Sequence, residues 1–89
     1  MAWTLECSKS ALSSLKRLDR QTAVRIMDYL EDRVATSQNP RDLGKAMVGK
    51  KFENMWRYRV GDYRVLVEIK QEVVTILVVE IGHQREIYR

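Results

Sequence analysis

Eighty-nine residues leave room for one hydrophobic core, so the chain is expected to form a single domain over residues 1–89. A hydrophobic content of 45% with 31% charged residues argues against disorder, and the longest apolar run, residues 73–79, is far short of the roughly 20 residues of a membrane span. One cysteine and one histidine argue against a disulfide or a zinc site, and no signal pattern opens the chain; a cytoplasmic protein without cofactor or metal is expected.

In chain order, residues 3–6 (WTLE) alternate and suit a short strand. Ser8 or Ser10 then offers an N-cap for a helix whose apolar positions are Ala11, Leu12, Leu15 and Leu18. Asp19 is placed to cap a second helix with the stripe Ala23, Ile26, Met27, Leu30 and Val34, opposite Arg25, Asp28, Glu31 and Asp32. Both stripes are expected to be core. Pro40 ends this pair, because it disfavours helical geometry at Asn39. Residues 41–54 lack periodicity and read as a basic loop carrying Lys45, Lys50 and Lys51. From Met55 the period becomes two, which predicts strands near 55–60, 63–69 and 73–81, joined at Gly61-Asp62 and at residues 70–72. Gly82 is expected to end the sheet, leaving residues 83–89 as a polar tail. The order β-α-α-β-β-β predicts an α+β fold: a mostly antiparallel sheet with a helical hairpin on one face.

Charge is unevenly spread along this order. The net charge is +4, and residues 41–70 carry eight Lys/Arg against four acidic residues. That segment contains WRYRVGDYRV (residues 56–65). With a two-residue loop at Gly61-Asp62, Val60 faces Tyr63, Arg59 faces Arg64 and Arg57 faces Leu66. Trp56, Tyr58, Val60, Tyr63, Val65, Val67 and Ile69 then share the core face, and Arg57, Arg59 and Arg64 share the other. Like charges opposite one another destabilise a hairpin. An anion bound there offsets the repulsion, and guanidinium groups suit bidentate recognition of phosphate. A solvated face whose arginines resist edge aggregation is the competing reading. In the tail, His83 can act as acid or base near neutral pH and Tyr88 supplies a phenol. Glu80 is the one acid placed near the arginine face, and Cys7 reads as buried and inert.

The WRYRVGDYRV hairpin together with the terminal GHQREIYR resembles the RelE/ParE superfamily of bacterial toxins, and the RelE-like mRNA interferases most closely, over essentially the whole chain. The resemblance implies a metal-independent endoribonuclease that enters the ribosome and cleaves mRNA in the A site. The ribose 2′-hydroxyl attacks the adjacent phosphate. It implies catalytic roles for Arg57, Arg59, Arg64, His83, Arg85 and Tyr88, with RNA or ribosome contacts from Lys45, Lys50, Lys51 and Gln84. Gln84 stands where relatives carry arginine, and Arg85 follows it. The resemblance also implies a cognate acidic, RelB-like antitoxin, through which alone operator DNA would be bound. Two alternatives share the fold: a ParE-like gyrase poison that cleaves nothing, and a module that only binds nucleic acid or an acidic protein.

Overall fold

The computed structural model describes residues 2–83. Strand β1 (Thr4–Cys7) leads into helix α1 (Lys9–Arg17) and helix α2 (Arg20–Tyr29), followed by strands β2 (Lys45–Ala46), β3 (Met55–Val60), β4 (Tyr63–Lys70) and β5 (Thr75–His83). The sheet order is β1-β5-β4-β3-β2. β1 runs parallel to β5, and every other pair is antiparallel. The expected β-α-α-β-β-β arrangement is present, with β2 added at one edge.

Local chemistry sets the helix starts. Ser8 Oγ accepts from the Ala11 amide at 3.0 Å, which satisfies one of the orphan donors of α1. Asp19 caps α2, accepting from the Thr22 hydroxyl at 2.6 Å and from the Thr22 amide at 3.1 Å. The same hydroxyl and amide bonds hold its carboxyl below the ordinary range. A π-helical turn over Leu30–Val34 prolongs α2 and keeps Leu30 and Val34 inward.

The core lies between the helices and one sheet face. Ala11, Ile26, Leu30 and Val34 pack with Tyr58, Val60, Val65, Val67, Ile69, Ile76, Val78 and Ile81. Full burial of a side chain such as Ile26 or Leu30 is worth about 1.5–3 kcal/mol, and truncating one to alanine typically costs about 2–5 kcal/mol. Leu12 departs from the expected stripe: it is 47% exposed. Ala11, Leu15 and Leu18 share the inward side of α1, and Leu12, one residue on, is turned about 100° away from Ala11.

Three further boundaries differ from expectation. The basic loop contains β2, created by pairing with β3 (Lys45↔Arg57, Ala46↔Trp56) and absent from any local pattern. The last connection runs through Val74 in the left-handed region (φ 47°), so β5 begins at Thr75. β5 also continues past Gly82 to include His83. Within β5 the register shifts: Val67 pairs with Val78, but Leu66 pairs with Glu80, leaving Val79 as a bulge. Ser8 fastens this bulge, its hydroxyl donating to the Val79 carbonyl at 2.6 Å. The extra residue inverts the alternation beyond it. Ile81 therefore faces the core, while Glu80 faces the opposite side.

Candidate anion-binding site

The hairpin has the register read from its sequence. Val60 faces Tyr63, Arg59 faces Arg64 and Arg57 faces Leu66. Gly61 opens the turn at φ 60°, a conformation glycine adopts without strain. Its carbonyl accepts from Arg59 Nε at 3.3 Å. Arg57 and Arg64 are half-buried, Arg59 is exposed, and Leu66 is 5% exposed beside them.

A second segment completes the site. The 3-10 turn Pro40–Leu43 is held against β3 at both of its ends. The Tyr58 hydroxyl donates to the Pro40 carbonyl at 2.8 Å, and burial pushes that phenol above its ordinary range, so it stays a donor. Asn39 Oδ1 accepts from the Arg41 amide at 3.2 Å and starts the turn. Gly44 lies flat on the strand: a Cβ there would sit 2.5 Å from the Arg57 carbonyl and 2.8 Å from Tyr58 Cε1. This clamp brings Asp42 and Lys45 to the arginines. Asp42, Leu43, Gly44, Lys45, Arg57, Arg59 and Arg64 line one open cavity of about 270 Å³, together with Tyr58. Four cationic side chains face one carboxylate there, an arrangement suited to a phosphodiester.

The other expected residues are distributed as follows. Glu80, opposite Leu66, lies on the arginine side of the sheet but outside the cavity lining. His83 pairs with Tyr63, and their rings meet edge-on with centroids 5.6 Å apart. His83 and Tyr63 line a separate hollow with Ser14, Arg17 and Leu18 of the helical layer, across the sheet from the arginines. The Val79 bulge is the cause, because simple alternation from Val78 would send His83 to the arginine side. Lys50 and Lys51 are exposed on a 3-10 turn (Lys50–Phe52), with the Lys51 ammonium 5.4 Å from the Phe52 ring centre. Gln84, Arg85 and Tyr88 lie outside the described residues. Cys7 is half-buried in β1, and desolvation pushes its thiol up, away from nucleophilic chemistry. Among the described residues no cluster of His, Cys, Asp or Glu could hold a metal ion, and no helix is long and apolar enough to cross a membrane.

Sequence reading missed three members of the cavity lining, Asp42, Leu43 and Gly44, and read Tyr58 as core alone. It placed Lys45 among RNA contacts without its pairing to Arg57. The available signal was Pro40 followed by Gly44, a turn that the basic composition masked.

Solved structures share this architecture. The toxin–antitoxin complex RelBE2 from Mycobacterium tuberculosis superposes with a TM-score of 0.84 at 19% identity, covering 97% of this chain and 95% of that one. The RelE–RelB complex from Pyrococcus horikoshii gives 0.72 at 18% identity, covering 97% and 99%. The RelB–RelE complex from Methanococcus jannaschii gives 0.68 at 24% identity, covering 93% and 94%. No curated protein matches the sequence. The family described as the ParE toxin of the type II toxin-antitoxin system, parDE, matches residues 5–88. With the hairpin, the helical pair and the mixed sheet all in place, the chain belongs to that toxin family, within the RelE/ParE superfamily.

Proposed function

We propose that this toxin is a ribosome-dependent endoribonuclease that cleaves mRNA in the A site by attack of a ribose 2′-hydroxyl on the adjacent phosphate, and so stops translation. The observation that carries the reading is the cavity in which Arg57, Arg59 and Arg64 converge with Lys45. The pentavalent transition state of this reaction holds more negative charge than the diester. Cations fixed on a sheet therefore stabilise it more than the ground state. The nucleophile belongs to the RNA, so the protein's work is to orient, to neutralise charge and to move protons. Lys50 and Lys51, exposed beyond the cavity, are proposed contacts to ribosomal or messenger RNA phosphates. Gln84, Arg85 and Tyr88 retain the RNA-contact and catalytic roles that the family resemblance implies. Among the described residues His83 is not part of this cavity's lining, and its catalytic role is an expectation of the resemblance. Its position supports packing between the sheet and the helices.

The proposed partner is an acidic antitoxin whose segment folds on the toxin and masks the cationic cavity. The similar complexes with RelB proteins support that expectation.

A second reading is favoured by the family match itself, described as a ParE toxin: a gyrase poison built on the same fold. One experiment separates the two. Purified toxin is added to translating ribosomes and mRNA 5′ ends are mapped, while gyrase supercoiling is followed in parallel. Codon-phased cuts in ribosome-bound mRNA, with gyrase unaffected, are expected. Intact mRNA with stalled gyrase would reverse the assignment.

A further inference from the structure

Cleavage through a 2′-hydroxyl needs a group that takes its proton within hydrogen-bond reach of the scissile phosphate. On the described chain the obvious candidates stand elsewhere. His83 is across the sheet, and Glu80 is outside the cavity lining. Asp42 is the one carboxylate that lines the cavity with Lys45 of β2, Arg57 and Arg59 of β3 and Arg64 of β4.

Its side chain is exposed, and the backbone that carries it is fixed. The Asp42 amide donates to the Asn39 carbonyl at 3.0 Å, and the Gly44 amide donates to the Arg41 carbonyl at 3.3 Å. The turn is tied to the buried Tyr58 hydroxyl through Pro40 and seated on the Arg57 carbonyl through Gly44. A catalytic group held by such supports reaches its geometry without an ordering cost at the moment of reaction. For phosphate binding alone, a carboxylate in this place is a liability, since it opposes the anion that the arginines attract. Proton transfer gives it a use.

We propose that Asp42 is the general base of this toxin, an inference that rests on the nuclease reading above. One Asp42 carboxylate oxygen takes the proton of the 2′-hydroxyl. The 2′-oxygen forms a bond to phosphorus, the bond from phosphorus to the 5′-oxygen breaks, and its electron pair stays on that oxygen. The 5′-oxygen takes a proton from water, and the hydroxide left behind recovers the proton held by Asp42. Lys45 and the three arginines neutralise the phosphoryl oxygens throughout.

The test is single-turnover cleavage on programmed ribosomes with wild type, Asp42→Asn, Asp42→Glu and Asp42→Ala, alongside ribosome affinity. The expected result is a fall of roughly 10²-fold or more in the Asn variant with affinity equal to wild type or tighter. Asp42→Glu should recover part of the rate, and added formate should restore cleavage by Asp42→Ala. Wild-type cleavage matched by Asp42→Asn would overturn this proposal while leaving the nuclease intact. So would an Ala variant that formate does not restore. A wild-type protein that cuts no ribosomal mRNA would overturn both.

Discussion

Tyr58 joins the core to the site within one side chain. Its ring is 1% exposed among the core residues, and its hydroxyl, also buried, holds the Pro40 carbonyl. Tyr58→Phe keeps the packing and deletes only that donor, leaving a buried carbonyl unpaired. Denaturant unfolding should show a loss of about 1–3 kcal/mol, and cleavage should fall because the Asp42 turn is released. Unchanged stability would mean that the turn stands without the bond. Arg64 presents the contrasting case. Arg64→Ala removes charge from the cavity and no core packing, so the fold should persist while cleavage drops about 10²–10³-fold, the usual cost of one transition-state electrostatic contact. A folded Arg64→Ala protein with wild-type cleavage would remove Arg64 from the mechanism. Both residues stood out in the sequence, Tyr58 as core and Arg64 as site. The bond from Tyr58 to Pro40 did not, because it spans 18 positions and has no local signature.

At the scale of elements, legibility follows the range of the interactions. The β3–β4 register was legible because alternation and a glycine at the turn specify it locally. The caps of α1 and α2 were legible for the same reason. What stayed hidden was imposed from a distance. β2 has two residues, and β3 makes it a strand. The bulge at Val79 is fixed by Ser8, 71 positions away, and with it the face on which His83 stands. The turn at Val74 carries a β-branched residue where glycine would have announced it. The clamp at Gly44 gives the sharpest prediction for an element. Gly44→Ala places a methyl group within 2.5 Å of the Arg57 carbonyl, so the turn must lift from β3. Overpacking of this kind costs about 1–3 kcal/mol. Hydrogen exchange should quicken at the Met47 amide, which donates to the Met55 carbonyl at 3.0 Å beside β2. Wild-type protection there would show that the turn tolerates a side chain.

Over the whole molecule, positive charge gathers on one stretch of the chain. The net +4 concentrates in the segment that carries β2, β3 and β4, and the cavity gathers four of those cations. An acidic antitoxin should therefore be drawn in by a long-range field, and its association rate should fall steeply between low and high ionic strength. Stopped-flow association at two salt concentrations measures this, and a rate indifferent to salt would remove charge masking from the account. The strand order has a consequence in time. β5 is made last of the five strands yet lies second in the sheet, between β1 and β4. Until it is synthesised, β1 has no neighbour, and the meander of β2 to β4 has an open flank along β4. Closure thus waits on the most distant pairing in the chain, Thr4 with Thr75 and its successors. A nascent chain that still holds β5 inside the ribosome carries every cavity residue from Asp42 to Arg64, yet the sheet on which those residues stand is not closed.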